Sequence, residues 1–299
     1  MQEEDNIFTP SKKASAETGF SIKVTNSGMQ VTPASDSLNP KEANSEVDSD
    51  YEPLEKPLVI QRVNDGSDDS RVRTGITGFD ELIGGGFERE SIVLAVGASG
   101  TGKTILSMQF LYKGITEYDE PGVLISFEEE RESLFKHALQ FGWDFAKLEK
   151  EDKFRLLVFK PHQITKILEE GGGQVRDALA EIGAKRVVVD SITAYGLLFR
   201  DEYKRREKIL EFFNLLRKWG ITAMIVCEDS PKVIETIEGS IGFISDAVIS
   251  MYYEQDQEKG IRIHSLEVLK MRGTKHTNKV CAINFEKDGI TVYPDVEVF

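Results

Sequence analysis

Apolar and polar positions along the chain fall into two regimes. From about residue 70 onward, short apolar runs alternate with stretches whose apolar residues recur every three to four positions; before that point they are scattered. Residues 91–96, Ser-Ile-Val-Leu-Ala-Val, read as a buried strand, and the spacing over 105–112 predicts a helix. Four more apolar runs, at 123–127, 154–159, 186–190 and 222–227, read as buried strands. Between them Leu134, Ala138, Leu139 and Phe141 repeat at helical spacing toward Gly142, and 164–168, 175–182 and 202–219 read as helices. Residues 74–87 place turn glycines around a short apolar helix. Strands alternating with helices predict an α/β fold with a mainly parallel sheet. After Asp246 the rhythm changes: 248–253, 262–271, 279–285 and 290–293 look like consecutive strands, with Asp288-Gly289 as a hairpin turn between the last two. An antiparallel extension of the same sheet, within one domain spanning 71–299, is the expectation.

Charge separates the regimes further. Residues 1–70 hold 14 acidic and 6 basic side chains, a net of -8, against 37 and 31, a net of -6, in the remainder. Low hydrophobicity with high net charge cannot offset the entropy of ordering, so a disordered acidic tail is expected. Within it, Asp48-Ser49-Asp50-Tyr51-Glu52 is either a docking motif for a protein partner or a solvated charge run. The whole chain of 299 residues carries -14, which argues against a general affinity for nucleic acid or anionic membranes. No run approaches the ~20 apolar residues of a membrane span. The first residues, Met1-Gln2-Glu3-Glu4-Asp5, lack the basic-then-apolar order of a secretory signal. Cys227 and Cys281 lie too far apart to suggest a disulfide framework or a zinc site. A cytoplasmic protein is expected.

The chemistry concentrates where the first strand meets its helix. Gly97-Ala98-Ser99-Gly100-Thr101-Gly102-Lys103-Thr104 reads G-x-x-x-x-G-K-T and leads into Ile105. Strand, glycine-rich loop and helix together form a phosphate cradle: backbone N–H groups turn inward and the helix N-terminus adds its dipole. Lys103 would reach the β- and γ-phosphates and the Thr104 hydroxyl would hold Mg²⁺. Asp190 closes an apolar strand, where a carboxylate can hold Mg²⁺ through its water shell, assisted by Ser191, or instead cap the next helix. Glu128 and Glu129 end another strand at the same sheet edge; one can orient the attacking water, or both can simply suit a helix's first turn. Lys270 and Arg272, two apart on an expected strand, share a face that suits a γ-phosphate or pairs with the protein's own acids.

Taken together these stretches resemble the KaiC-type ATPases of the RecA/RadA-like P-loop group. The matching pieces are residues 75–86, the loop 97–104, Ser126-Phe127-Glu128-Glu129, Phe141-Gly142-Trp143-Asp144, Val189-Asp190-Ser191 and Leu269-Lys270-Met271-Arg272-Gly273-Thr274-Lys275-His276. They span about 74–285. The resemblance implies that Glu128 and Glu129 are the paired catalytic glutamates. It also implies that Lys270, Arg272, Thr274 and His276 reach the nucleotide of a neighbouring subunit, in a ring that is usually a hexamer. The clock protein of the family carries two such domains, whereas this chain has one. The clock protein's phosphorylated Ser-Thr pair falls at Gly242-Phe243 here, where no hydroxyl is available.

Three functions follow as expectations. The first is a Mg²⁺-dependent ATPase ring acting as a regulatory module. The second is a RecA/RadA-like recombination protein, which needs a basic path for DNA. The segment 228–246 offers Glu228, Asp229, Glu235, Glu238 and Asp246 against Lys232 alone, which argues against it. The third is a nucleotide sensor that binds ATP without hydrolysing it. Autokinase activity is a variant of the first that no residue spacing marks.

Overall fold

The structure, a computed structural model, describes residues 20–25, 28–33, 70–160, 162–163, 165, 172–228, 239–256 and 260–298. Near the N-terminus, β1 (Phe20–Thr25) and β2 (Gly28–Pro33) form an antiparallel pair, with Phe20 opposite Pro33 and Thr25 opposite Gly28. It lies within the stretch, 1–70, over which a disordered acidic tail is expected. The remainder of that tail up to residue 69, with its 48–52 motif, lies outside the described residues.

From Ser70 onward the elements are β3 (Arg71–Val72), α1 (Phe79–Leu82), β4 (Phe87–Glu88), β5 (Ile92–Gly97), α2 (Lys103–Tyr118), β6 (Gly122–Ser126), α3 (Arg131–Leu139), α4 (Phe145–Lys150) and β7 (Phe154–Val158). They continue as α5 (Gly173–Glu181), β8 (Arg186–Asp190), α6 (Ile192–Gly196), α7 (Glu202–Lys218), β9 (Thr222–Glu228), α8 (Gly239–Ile244), β10 (Ala247–Asp256), β11 (Ile261–Met271), β12 (Cys281–Glu286) and β13 (Gly289–Glu297). The helix expected over 164–168 lies mostly outside the described residues.

One sheet of nine strands organises this part, in the order β13-β12-β11-β10-β5-β9-β8-β6-β7. The six strands from β10 to β7 pair in parallel. β11, β12 and β13 extend the sheet antiparallel, as expected from the change of rhythm after Asp246, and Gly289 closes the last hairpin opposite Glu286. Helices cover both faces, which is why β5, β6, β8 and β9 read as unbroken apolar runs rather than alternating ones. On one face Val93, Leu124, Val188 and Met224 pack under Leu106, Phe110 and Leu111 of α2. On the other, Leu94, Val123, Val187, Val189 and Ile225 pack under Val175, Leu179, Ile209, Phe212 and Leu216. Each such side chain contributes about 1.5–3 kcal/mol by leaving water.

Two details differ from the sequence reading. α3 stops at Leu139, whose side chain is 58% exposed, so only Leu134 and Ala138 of the expected stripe are buried on that helix. Arg186, at the start of β8, is fully buried. Its guanidinium donates to Glu120 Oε2 at 2.6 Å and to the carbonyls of Phe110 and Arg73, each at 2.8 Å. A buried charge survives only with such complete pairing. No helix among the described residues is long and apolar enough to cross a membrane.

Candidate active site

β5 ends at Gly97, and the loop that follows is pressed against the antiparallel strands. Gly102 caps α2 with φ +97°, and a Cβ there would lie 2.6 Å from the Phe285 ring of β12, so the position requires glycine twice over. Within the loop, the Thr101 hydroxyl and the Lys103 ammonium both donate to the Ala98 carbonyl, at 2.9 and 2.8 Å. Lys103 is buried, and that burial holds its pKa below the ordinary lysine value against the opposing pull of Glu228, Asp190 and Glu128. Its present partner is a loop carbonyl, which an incoming anion would displace. His264 Nε2 lies 3.1 Å from the Gly100 carbonyl, with its ring stacked on Tyr253 at 3.9 Å.

Asp190 ends β8, with β9 standing between it and β5. Its Oδ2 accepts from the Thr104 hydroxyl at 2.7 Å. The helix-capping alternative falls instead to the next residue: the Ser191 hydroxyl accepts the Ala194 N–H at the start of α6. The Asp190–Ser191 peptide is cis. Burial pushes the Asp190 carboxyl up to about 6; the nearby Glu128 and Glu129 push the same way, while the Thr104 hydrogen bond and Lys103 oppose. Two oxygen donors within 2.7 Å of each other, one a desolvated carboxylate, fit a hard divalent cation such as Mg²⁺.

The paired glutamates diverge. Glu128 accepts a hydrogen bond from the Ser191 hydroxyl and so faces β8. Glu129 faces α3: its Oε2 accepts from the Ser133 hydroxyl at 2.8 Å and lies 3.3 Å from His137 Nδ1. The turn that separates them is tied by the Ser126 hydroxyl, which donates to the Glu129 carbonyl at 2.7 Å and accepts its N–H at 3.1 Å.

A cavity of about 490 Å³ joins these groups. Lys103, Thr104, Glu128, Glu129, Asp190 and Ser191 line it, with Ser99, Gly100 and Gly102 of the loop. Ile105, Met108, Phe141, Trp143 and Phe285 add apolar and aromatic lining of the kind that suits a planar aromatic base. Met108, His137, Phe285 and His264 escaped the sequence reading. The only available signal was helical spacing from Thr104 to Met108; the others arrive from distant elements.

Lys270, Arg272, Thr274 and His276 do not line this cavity. Lys270 pairs with Val248, and Val248 with Leu94, three residues before Gly97, so it stands roughly 10 Å along the strands from the loop. Lys270 Nζ donates to the carbonyls of Gly242 and Ser245, both at 2.7 Å, and its burial lowers its pKa. Arg272 Nη2 donates to the Phe243 carbonyl at 2.5 Å, and its Nη1 lies 3.5 Å from Asp246 Oδ1. The two cations therefore share a side, as their spacing predicts. The Thr274 hydroxyl lies against Arg71 and Glu88, and His276 Nδ1 is 2.7 Å from the Thr277 carbonyl.

Comparison with known proteins places this architecture. A family profile described as the KaiC ATPase matches residues 72–297. A UPF0273 protein of Methanocaldococcus jannaschii is 35% identical over 238 residues, covering 75% of this chain and 97% of its own length. The circadian clock oscillator protein KaiC of a Nostoc species is 32% identical over 251 residues, covering 80% of this chain but 47% of its own length, so the chain spans about half of that relative. Among solved structures, a KaiC-like protein from Pyrococcus horikoshii superposes with a TM-score of 0.65 at 35% identity, covering 75% of this chain and 99% of that one.

Proposed function

The chain belongs to the KaiC ATPase family, and from that premise and the site geometry we propose that it binds and hydrolyses ATP between the subunits of a homo-oligomeric ring, in the cytoplasm, as a nucleotide-driven regulatory module. One observation carries the reading. The phosphate loop, the Thr104–Asp190 oxygen pair and the two glutamates converge on one cavity, while the Lys270–Arg272 pair sits at the opposite end of the sheet. A cation pair that cannot reach its own subunit's loop, yet follows the family pattern, suits the loop of a neighbour.

In this reading the loop N–H groups of residues 97–105 and the Lys103 ammonium bind the triphosphate, and the apolar side chains of the cavity hold the base. Thr104 and Asp190 would hold Mg²⁺, which would supply charge neutralisation at the β- and γ-phosphates. Glu128, fixed by Ser191, orients a water for in-line attack at the γ-phosphorus. The new bond is oxygen to phosphorus, the bond to the ADP oxygen breaks, and the water's proton passes to a glutamate carboxylate. Glu129, tied to α3, supports the same water or holds the α3 wall. Lys270 and Arg272, with Thr274 and His276 beside them, exchange their carbonyl partners for the neighbour's γ-phosphate and stabilise the charge that develops there.

Light scattering with and without Mg²⁺-ATP, combined with phosphate release from the same sample, tests the reading. A ring that forms with ATP and releases phosphate supports it. A ring that forms without phosphate release favours the sensor instead. Hydrolysis by a monomer removes the role of Lys270 and Arg272, and full activity in the Glu128→Gln, Glu129→Gln double variant removes that of the glutamates. Retention of single-stranded DNA at physiological salt would return the recombination reading.

A further inference from the structure

The loop after β11 is held by a part of the chain some two hundred residues earlier. Arg71 and Glu88 face each other across the small β3–β4 pair, outside the main sheet. Arg71 Nη2 donates to the Thr274 hydroxyl at 3.0 Å, and its Nη1 donates to the Gly86 carbonyl at 2.9 Å. The Thr274 hydroxyl in turn lies 3.3 Å from Glu88 Oε1, to which it donates. A hydroxyl has one proton to give and lone pairs to accept with, so a donor on one side and a carboxylate on the other fix its orientation. The backbone is equally constrained. Gly273 has φ +65°, and a Cβ there would come within 2.9 Å of Glu88 Oε1. Three residues past Thr274, the Thr277 N–H donates to the Leu82 carbonyl at 3.0 Å. Arg272 thus lies between two fixtures: the backbone bond from its own N–H to the Asp246 carbonyl at 2.8 Å, and the Arg71–Thr274–Glu88 clamp two residues on.

We propose that Arg71 and Glu88 are positioning residues for the catalytic cations of the neighbouring site: by clamping Thr274 they fix where Arg272 presents its guanidinium. Neither residue lines the nucleotide cavity of its own subunit, so their effect on turnover is exerted in the adjacent one. This rests on the reading of Arg272 as a group that acts across a subunit boundary. Thr274 changes role accordingly, from a phosphate contact to the pivot of the clamp.

The test uses the full-length protein and four variants: Arg71→Ala, Arg71→Lys, Arg272→Ala and Lys103→Ala. Arg71→Ala is expected to lower kcat between about 10- and 100-fold, the scale of an ångström-level misplacement of a catalytic group, with nucleotide affinity at its own loop unchanged. Arg71→Lys, which keeps a cationic donor but loses the fork that reaches both partners, recovers part of the loss. The decisive measurement mixes subunits. Lys103→Ala has a dead loop but an intact cation pair, and Arg71→Ala has the reverse. A mixed ring therefore contains competent sites, and its rate rises above the sum of the separate rates. Loss of rate in Arg71→Ala without a rise on mixing overturns the inference, because the residue then acts inside its own subunit. A wild-type rate in Arg71→Ala beside a slow Arg272→Ala also overturns it, yet leaves the shared site standing. A wild-type rate in Arg272→Ala defeats the shared site itself, and this inference with it.

Discussion

The two ends of the sheet hold two aspartates in opposite circumstances. Asp190, at the cavity end, is a half-buried carboxylate with a neutral hydroxyl partner and two other acids nearby, and Lys103 opposes them only in part. Asp246, at the far end, accepts the Ile92 N–H at 2.9 Å and the Arg217 guanidinium at 3.1 Å through Oδ2, with Arg272 3.5 Å from Oδ1. The first is a desolvated charge that Thr104 and Lys103 compensate only in part; the second is compensated from three directions. The same contrast runs through the cations. Lys103 leans on a carbonyl of the loop that is to receive an anion, whereas Lys270 and Arg272 satisfy carbonyls around the end of α8. In the proposed function the first end receives an anion directly, and the other gives up an internal partner before it binds one.

The largest expected effects separate the ends by what they abolish. Lys103→Ala removes the buried ammonium from the loop. Nucleotide binding and hydrolysis both fall, the latter by roughly 10³-fold, as read by fluorescent-nucleotide titration and phosphate release. Arg272→Ala leaves binding to the subunit's own loop intact and lowers turnover by roughly 10²- to 10³-fold. Equal loss of binding in the two variants would erase the distinction between the ends.

Legibility in the sequence follows the same division. The phosphate loop is contiguous, and its strand–loop–helix context is local, so Gly97 through Thr104 could be read directly. Asp190 was legible as the acid that ends an apolar strand. The parallel core and its antiparallel extension followed from periodicity, because strands buried on both faces leave unbroken apolar runs. The divergence of Glu128 from Glu129 was not legible: it depends on Ser191, Ser133 and His137, which only the folded chain brings near. The shared face of Lys270 and Arg272 followed from their spacing, whereas the carbonyls at the end of α8 that receive them, about thirty residues away in sequence, were not legible. Leu139 was misassigned because, one position past Ala138 and five past Leu134, it falls on a different face of α3 from those two buried residues.

A smaller effect concerns stability alone. Asp246→Ala removes a carboxylate that accepts one backbone N–H and one guanidinium, leaving the Ile92 N–H and Arg217 in need of new partners. Hydrogen bonds to charged groups are worth about 1.5–3 kcal/mol each in place, although the half-exposed Arg217 side recovers part of that in water. A loss of about 2 kcal/mol is expected, with a lower midpoint in urea at an unchanged slope. A midpoint equal to wild type would mean that this end is not internally compensated.

The last and smallest effect has the opposite sign. Asp190→Asn keeps an oxygen to accept the Thr104 hydroxyl and removes the charge that burial disfavours. At neutral pH the wild-type carboxylate is ionised at a cost, since its pKa is raised to about 6, chiefly by burial. The neutral amide avoids that cost and the repulsion from Glu128 and Glu129. The nucleotide-free variant is therefore expected to be more stable by about 1 kcal/mol, a Tm rise of about 2–4 °C for a domain of this size. With Mg²⁺-ATP the order reverses: wild type gains the stabilisation of a bound ligand, and the variant, lacking its cation-binding carboxylate, gains little. A single series of melts with and without Mg²⁺-ATP decides the matter. A variant that melts below wild type in both conditions would show Asp190 to be a structural acid like Asp246, and the contrast between the two ends of the sheet would disappear.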